Sequence, residues 1–467
     1  MEAPGERRAQ PKADRGLLLW FLAALLAVFL LTAIFFAWAT RHALANGPLL
    51  SAREKRWVLG VADFPTQLRS ALYQVGLFGG APSPLLFDRS LIDKRHWIRR
   101  FPAPDDTGFL LFSGVDPHRR HSLVKLLRVS DGAEIARWDP DWDAIYRRIT
   151  DKPFAERGSP RNARAFHPLP MPNGDIVFNT GNALVRLGPC SGEPVWVLDE
   201  VMHHSNELDA AGTIWTASVS PDGFADNPWL HERVRDDAIA RVSPDGRILE
   251  HLSVAKIMRS NGLEPLLLGT GGSMLQVDPI HLNEIEVAPG DTRYWKRGDL
   301  LLSARHLSSV FLYRPSTGRI VWHKMGPWLN QHSALFLDDH RISVFDNNVY
   351  AGAPNEQPFV TKGDVNRLFV YDFATGELSQ PYAALLAQAR PVTYSEGRAR
   401  ILPDGGLFLE ETNFGRVLRF TRDRLLWSYV NDYDRSRIGI LSWSRYLTAE
   451  EAQPLLRAVS ARACASR

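Results

Sequence analysis

Met171-Pro172-Asn173-Gly174-Asp175-Ile176-Val177-Phe178, followed by Ser191-Gly192-Glu193-Pro194-Val195-Trp196, is the stretch whose pattern decides the fold. Apolar runs alternate with turns of Asn, Asp and Gly, residues that tolerate the positive φ a tight hairpin requires. The unit closes on a tryptophan. It recurs from Phe109 to Trp138 around Ser130-Asp131-Gly132, and from His204 to Leu249 around Ala211-Gly212 and Pro244-Asp245-Gly246. Three more copies run His281 to Trp322, His332 to Leu378, and Ser395 to Trp427, the last carrying Leu402-Pro403-Asp404-Gly405-Gly406. With the copy from His167 to Trp196 there are six. A sheet of a few short strands cannot bury both faces alone, so such repeats stack. Four-stranded blades around a channel make a β-propeller, for which roughly four to eight blades is the usual range. An all-β, six-bladed propeller over residues 101–446 is therefore expected, its first strands lining the channel. Helix is expected only near Pro381 to Ala389 and Ala449 to Val459.

The composition agrees with this. In 467 residues, 45% apolar and 23% charged content is ordinary for a folded protein with a sizeable core. Fourteen Trp and 23 Phe against six Met favour β-rich packing over a helical bundle. A net charge of +3, with no basic stripe interleaved with aromatics, gives no support for a nucleic-acid partner.

The first fifty residues differ. Leu17 to Ala39 is uncharged and built mainly from Leu, Ala, Phe, Ile and Val, and a bilayer crossing takes about 20 apolar residues. Arg7, Arg8, Lys12 and Arg15 precede it, so residues 1–16 are expected as a cytoplasmic tail and 17–39 as a single-pass inner-membrane anchor. A lead-in (40–100), the propeller (101–446) and a C-terminal tail (447–467) then fall in the periplasm or another extracytoplasmic space. A cleavable signal peptide is the competing reading, because Ala37-Trp38-Ala39 has the small-x-small form. The apolar run is longer than the roughly 7–15 residues of a signal core. Cys190 and Cys464 are the only cysteines, with no CxxC or thiolate cluster for zinc. In an exported chain a disulfide between them and two unpaired thiols both stand.

Candidate chemistry gathers between Asp278 and Asn348. His281 and His332 begin the fourth and fifth repeats, and His204 begins the third. A single histidine at a strand start is usually a satisfied polar residue. Three converging from consecutive blades are not a usual core arrangement. Leu300-Leu301-Leu302-Ser303-Ala304-Arg305-His306 is an apolar run ending in a cation, and a guanidinium fixed there can hold a tetrahedral oxyanion bidentately. The ordinary alternative is a surface salt bridge. Asn283 shares the facing of His281 along an extended strand and is placed to donate to the same anion, the alternative being an asparagine that satisfies a turn.

The order and spacing of these segments resemble the bacterial arylsulfotransferases, over roughly the last two thirds of the chain. Those enzymes move a sulfuryl group between phenols through a histidine, without a nucleotide cofactor. Gln331-His332 looks like the family's glutamine followed by the sulfated histidine, and His281-Leu282-Asn283 like its His-x-Asn pair. Arg305 looks like its Ser-Arg-His strand end with Ala304 inserted, and His203-His204 like its paired histidines ahead of a turn, here Asp209-Ala210-Ala211-Gly212. The resemblance implies an aryl sulfate donor, a phenolic acceptor, no cofactor and no metal. It implies His332 as nucleophile, His281, His204 and Arg305 as its catalytic partners, and Asn283, His203, Gln331 and His306 in substrate binding. Ser205 and Ser333 stand where the family commonly has acidic or similar polar residues, and Gly290 to Arg297 is an insert.

The set suits the chemistry. A loose transition state with charge on peripheral oxygens needs cations and fixed donors around it. An imidazole can carry the transferred group covalently, and a second can protonate the leaving phenolate. A pKa near 6.5 leaves both states of histidine accessible.

Rival readings explain less. A metal site at His203, His204, His281 and His332, with Asp346 nearby, lacks the His-Glu-x-x-His spacing of a metalloprotease helix. A non-enzymatic, membrane-anchored propeller scaffold accounts for anchor and blades but leaves the histidines unexplained. A quinone-dependent dehydrogenase-like propeller lacks its adjacent cysteines and tryptophan-docking repeat. A serine hydrolase lacks the Gly-x-Ser-x-Gly elbow.

Overall fold

A computed structural model of the chain describes residues 15–44, 49–51, 53–55, 57–62, 64–65, 85–89, 101–155, 158–189, 191–220, 222, 224–269, 275–351, 359–361 and 365–462. Cys190 and Cys464 lie outside the described residues. The chain divides into two units, Met1–Ser83 and Pro84–Arg467.

The first unit is dominated by the helix Arg15–Leu44. At about 1.5 Å per residue its 30 residues exceed the roughly 30 Å hydrocarbon core of a bilayer. Leu19–Ala43 is long and apolar enough to cross a membrane, and Trp20, Phe29 and Leu31 stand exposed on it. A helix apolar on all faces and unburied is what a membrane span or a signal sequence requires.

The described residues of the second unit form six four-stranded antiparallel sheets, the blades of a β-propeller. Blade 2 comprises Phe166–Pro170, Ile176–Asn179, Leu184–Leu187 and Pro194–Leu198; blade 3, Met202–Leu208, Ile214–Val219, Asp237–Val242 and Ile248–Ser253. Blade 4 comprises Leu282–Val287, Leu300–Ala304, Ser309–Arg314 and Arg319–Met325. Blade 5 comprises Ala334–Phe336, Arg341–Asp346, Arg367–Asp372 and Leu378–Ser379; blade 6, Arg398–Ile401, Leu407–Glu411, Arg416–Phe420 and Leu425–Val430. The first strands of blades 2 to 5 pack against one another in succession.

Blade 1 departs from the expectation that each repeat supplies its own inner strand. Phe109–Val115, Ser122–Arg128 and Glu134–Trp138 are its outer three, and Arg445–Leu447 from the far end of the chain pairs with Phe109–Val115 as the fourth. The lead-in strand Leu86–Asp88 instead pairs with Arg437–Gly439, outside the blades. The ring is therefore closed by non-local pairing. The helix Ala449–Ala461 follows directly, started by a capping box between Thr448 and Glu451. Its Ala452, Leu455 and Val459 join the core shared by blades 1 and 2.

The recurrent tryptophans now have a physical role. Each lies in an outermost strand and reaches the next blade. Trp138 Nε1 donates to Gly174 O (3.1 Å) and Trp196 Nε1 to Pro244 O (3.1 Å), both acceptors in hairpin turns. Trp427 Nε1 donates to Asp106 Oδ2 at 2.7 Å across the closure, and Trp322 packs on Tyr371 of blade 5 at 5.0 Å between ring centroids. Gly174 and Gly405 hold φ of 90° and 74°, as their hairpin turns require. The insert Gly290 to Arg297 is packed: Trp295 is buried against Phe336 and Phe373, at the end of its hairpin opposite His281.

Candidate active site

One backbone device positions the functional side chains. At the start of each blade's innermost strand a residue lies in the left-handed region: His167 (φ 51°), His204 (54°), His281 (53°), Asn330 (52°), Gly397 (116°) and Trp443 (67°). In blades 2, 3 and 4 the neighbouring ladder also shifts register, as at Leu282/Glu284. A positive φ combined with a bulge turns a side chain out of the plane of its strand. Around a ring, that brings residues distant in sequence to one end of the axis.

The rings gather there. Centroid separations are 4.9 Å for His204 and His281, 6.4 Å for His204 and His332, and 4.3 Å for His281 and His306. Trp443 lies 5.7 Å from His332 and 6.2 Å from His204. The catalytic histidines expected from the sequence thus share one site.

His332 is fully buried, and its Nδ1 meets Asn347 Oδ1 at 2.6 Å. Asn347 Nδ2 donates to the carbonyls of Thr393 (3.0 Å) and Glu396 (2.8 Å), which fixes the amide with its oxygen toward the ring. Nδ1 therefore carries the proton. Nε2 is left as a buried lone pair without a hydrogen-bond partner. Burial first, then the Arg305 charge, pulls the His332 pKa down to about 3. The ring is neutral at physiological pH.

Arg305 is 4% exposed, and its charge also helps hold His281 well below the usual histidine range, after burial and His306. Burial pulls the Arg305 pKa down to about 10, so it stays cationic. Its Nη1 donates to His306 Nε2 at 2.7 Å, while His306 Nδ1 donates to the Asp278 carbonyl at 2.6 Å. His306 is thus a brace that fixes the guanidinium. His281 Nδ1 donates to Asp278 Oδ2 at 2.6 Å, an arrangement that holds an imidazole in one tautomer with Nε2 free for proton transfer.

His203 backs His204 in a chain. Its Nε2 donates to Ser218 O at 3.1 Å and lies 3.4 Å from Asp237 Oδ1, and its Nδ1 meets His204 Nδ1 at 2.8 Å. The fully buried Asp237 is ion-paired with Arg235 at 2.8 Å and held well below the usual carboxylate range despite burial. With the His203 Nε2 proton fixed, His204 presents Nδ1–H to its neighbour and keeps Nε2 as a base.

Asn283 and Gln331 are engaged by the protein itself. Asn283 Nδ2 donates to the Gln331 carbonyl at 3.0 Å. Gln331 Nε2 turns back into blade 4, to Ser303 Oγ (3.1 Å), Ala304 O (3.1 Å) and Ser309 O (2.9 Å). Both amides hold the peptide that precedes His332. Sequence reasoning passed over Asn347, Asp278, Asp237 and Trp443. Asp278, three residues before His281, carried the one available signal, a carboxylate close in sequence to a candidate histidine.

A hollow of about 100 Å³ adjoins the rings, lined by Arg164, Phe166, His167, Asn179, His204, Glu396 and Trp443. Arg164 bonds both Glu396 oxygens there (2.8 and 2.6 Å). A larger cavity of about 680 Å³ holds Glu207, Glu286, Arg398, Arg400 and Arg445, residues further along the inner strands than the histidines. Among the described residues, Asp278, His281 and His306 bring ligand atoms within 4.8 Å of one another, as do His167, Glu207 and Glu284. His203, His204 and His332 join no such group among those residues.

A six-bladed ring with imidazoles and a guanidinium converging at one end of its channel defines a propeller with an axial site suited to an anionic group. Residues 190–432 match the arylsulfotransferase (ASST) family, just over half of the sequence, and the chain belongs to that family. No curated protein matches it. Similar solved structures include a protein of unknown function from Bacteroides caccae (12% identity, 73% of this chain and 99% of that one, TM-score 0.42). Hydrazine synthase from Kuenenia stuttgartiensis is another (11% identity, 71% and 80%, TM-score 0.38). TolB from Acinetobacter baumannii is a third (12% identity, 74% and 68%, TM-score 0.40).

Proposed function

We propose that this protein transfers a sulfuryl group from an aryl sulfate to a phenolic acceptor through His332, without a nucleotide cofactor, at the outer face of the cytoplasmic membrane. Family membership supports the reaction class. The observation that carries the mechanism is the fixed tautomer of His332, whose protonated Nδ1 on Asn347 leaves Nε2 as the nucleophilic lone pair.

In the first half-reaction Nε2 attacks sulfur, the sulfur–aryl oxygen bond breaks, and a sulfohistidine forms. Arg305 stabilises charge on the peripheral sulfuryl oxygens. The phenol leaves as the phenolate and takes its proton from water, because His281, oriented by Asp278, and His204, backed by His203 and Asp237, rest neutral with Nε2 unprotonated. In the second half Nε2 of His281 or His204 removes the acceptor phenol's proton, the phenolate oxygen attacks sulfur, the nitrogen–sulfur bond breaks to return His332, and the imidazolium releases its proton to water. The pKa order fits this division of labour. A neutral His332 can attack, while Arg305 stays charged throughout. Asn283, Gln331 and His306 act through the groups they hold, and Trp443 supplies an apolar wall beside the nucleophile.

Incubating the protein with a chromogenic aryl sulfate and a phenol, with mass analysis of the intact chain, tests the reading. The expected result is phenol release together with one sulfuryl group on His332. Turnover without any sulfated protein would overturn the covalent route, and no turnover with several donor–acceptor pairs would overturn the activity.

A further inference from the structure

We propose that His167, Glu207 and Glu284 form a divalent-cation site on the ring axis, beside the histidine cluster and separate from the transfer chemistry. The residues come from the inner strands of blades 2, 3 and 4, and their ligand atoms lie within 4.8 Å of one another. His167 and Glu284 are both 0% exposed. Neither nitrogen of His167 and neither carboxylate oxygen of Glu284 has a hydrogen-bond partner. Buried polar atoms left without partners are costly, and two complementary side chains aimed at one point call for a common occupant.

Charge on the axis points to a cation. Arg445 is taken up by Glu207, which it bonds at 2.8 and 3.2 Å. Arg400 is taken up by Glu451. Glu284 and Glu286 are then left with Arg398 as the remaining guanidinium whose charge reaches both. Burial holds both carboxyls above their ordinary range, Glu286 up to about 8, and a cation beside Glu284 supplies the charge that lets it ionise. Arg398 makes no hydrogen bond to Glu284, and its own Nη1 is buried without a partner. One imidazole nitrogen with two carboxylate oxygens is a mixed donor set that suits Zn²⁺ or Mn²⁺ better than Ca²⁺, which takes six to eight oxygens. Because the ligands come from three blades, the ion binds only the closed ring and stabilises it.

The test uses the full-length protein, stripped with a chelator and reloaded separately with Zn²⁺ and Mn²⁺. Elemental analysis should give one equivalent per chain, and Tm should rise with ion concentration. Glu284→Gln, which keeps the shape and removes the charge, should lose both the equivalent and the Tm response, and His167→Asn should do the same. Should His167→Asn fail to fold, Glu284→Gln decides alone. Absence of bound ion in the wild type, with Glu284→Gln equally or more stable, overturns the proposal, because Glu284 is then simply a neutral buried acid. An equivalent retained in Glu284→Gln overturns it as well.

Discussion

Asn347 Oδ1 lies 2.6 Å from His332 Nδ1, and the two residues are brought together across adjacent strands of one blade with their amide and imidazole orientations both fixed. Removing the acceptor while keeping the volume, as in Asn347→Leu, frees the imidazole to place its proton on either nitrogen. Loss of the correct tautomer in a comparable oriented histidine costs up to about 10⁴-fold in kcat. A fall of at least about 10²-fold in the rate of sulfohistidine formation is expected, together with a lower Tm, because the Thr393 and Glu396 carbonyls also lose their donor. Stopped-flow release of a chromogenic phenol measures it, and a rate within a few-fold of wild type would remove Asn347 from the mechanism.

His332→Ala should abolish transfer, whereas Arg305→Gln and His281→Ala should leave slow turnover, since a single stabilising donor typically contributes about 10²–10³-fold. Steady-state kinetics should be ping-pong, with donor phenol leaving before acceptor binds. Intersecting rather than parallel double-reciprocal lines would rule out the sulfohistidine.

Acid should unfold the ring through its neutral imidazoles. Burial holds His332 at about 3 and His167, His204 and His281 well below the ordinary 6.5. The unfolded chain therefore binds protons that the folded one refuses. The stability contribution is complete above pH 6.5 and is lost as pH falls from there toward about 3. Tm measured between pH 7 and 4 should decline, and His332→Asn should decline less steeply. Identical slopes would show that His332 is not held neutral.

The ring closure hangs on Asp106, whose carboxylate accepts from Tyr446 Oη (2.6 Å), Trp427 Nε1 (2.7 Å) and the Gly108 amide (2.8 Å). Asp106→Ala strands these buried donors, at a cost of about 1–3 kcal/mol for each one left unsatisfied. Denaturant unfolding should show destabilisation of at least roughly 3 kcal/mol in total. A change under about 0.5 kcal/mol, the range of an ordinary surface substitution, would mean that the closure does not depend on this latch.

Much of the architecture was legible because it is local. The Asn-Gly and Asp-Gly turns set the hairpins, and the tryptophan ending a repeat marked an outer strand. His204, His281 and His332 were visible because repeats place equivalent residues at equivalent positions, so three histidines at three repeat starts had to converge if the ring closed. The inner strand of blade 1 was not legible. Arg445–Leu447 is too short to carry a pattern of its own and acquires a partner only when the chain's far ends meet.

The sequence by itself determined the repeat, the number of blades, the apolar segment of the N-terminal helix, and which histidines stand at the starts of repeats. Those follow from periodicity, turn chemistry and side-chain type, all readable over a few dozen residues. Only the tertiary structure decided what each polar group does. It directed Gln331 and Asn283 to hold backbone, set His306 against Arg305 and Asp278 against His281, gave His332 its tautomer through Asn347, and left His167 and Glu284 facing each other. A hydrogen bond or a shifted pKa depends on distances of a few ångströms between residues tens to hundreds of positions apart, and those distances exist only once the blades are packed.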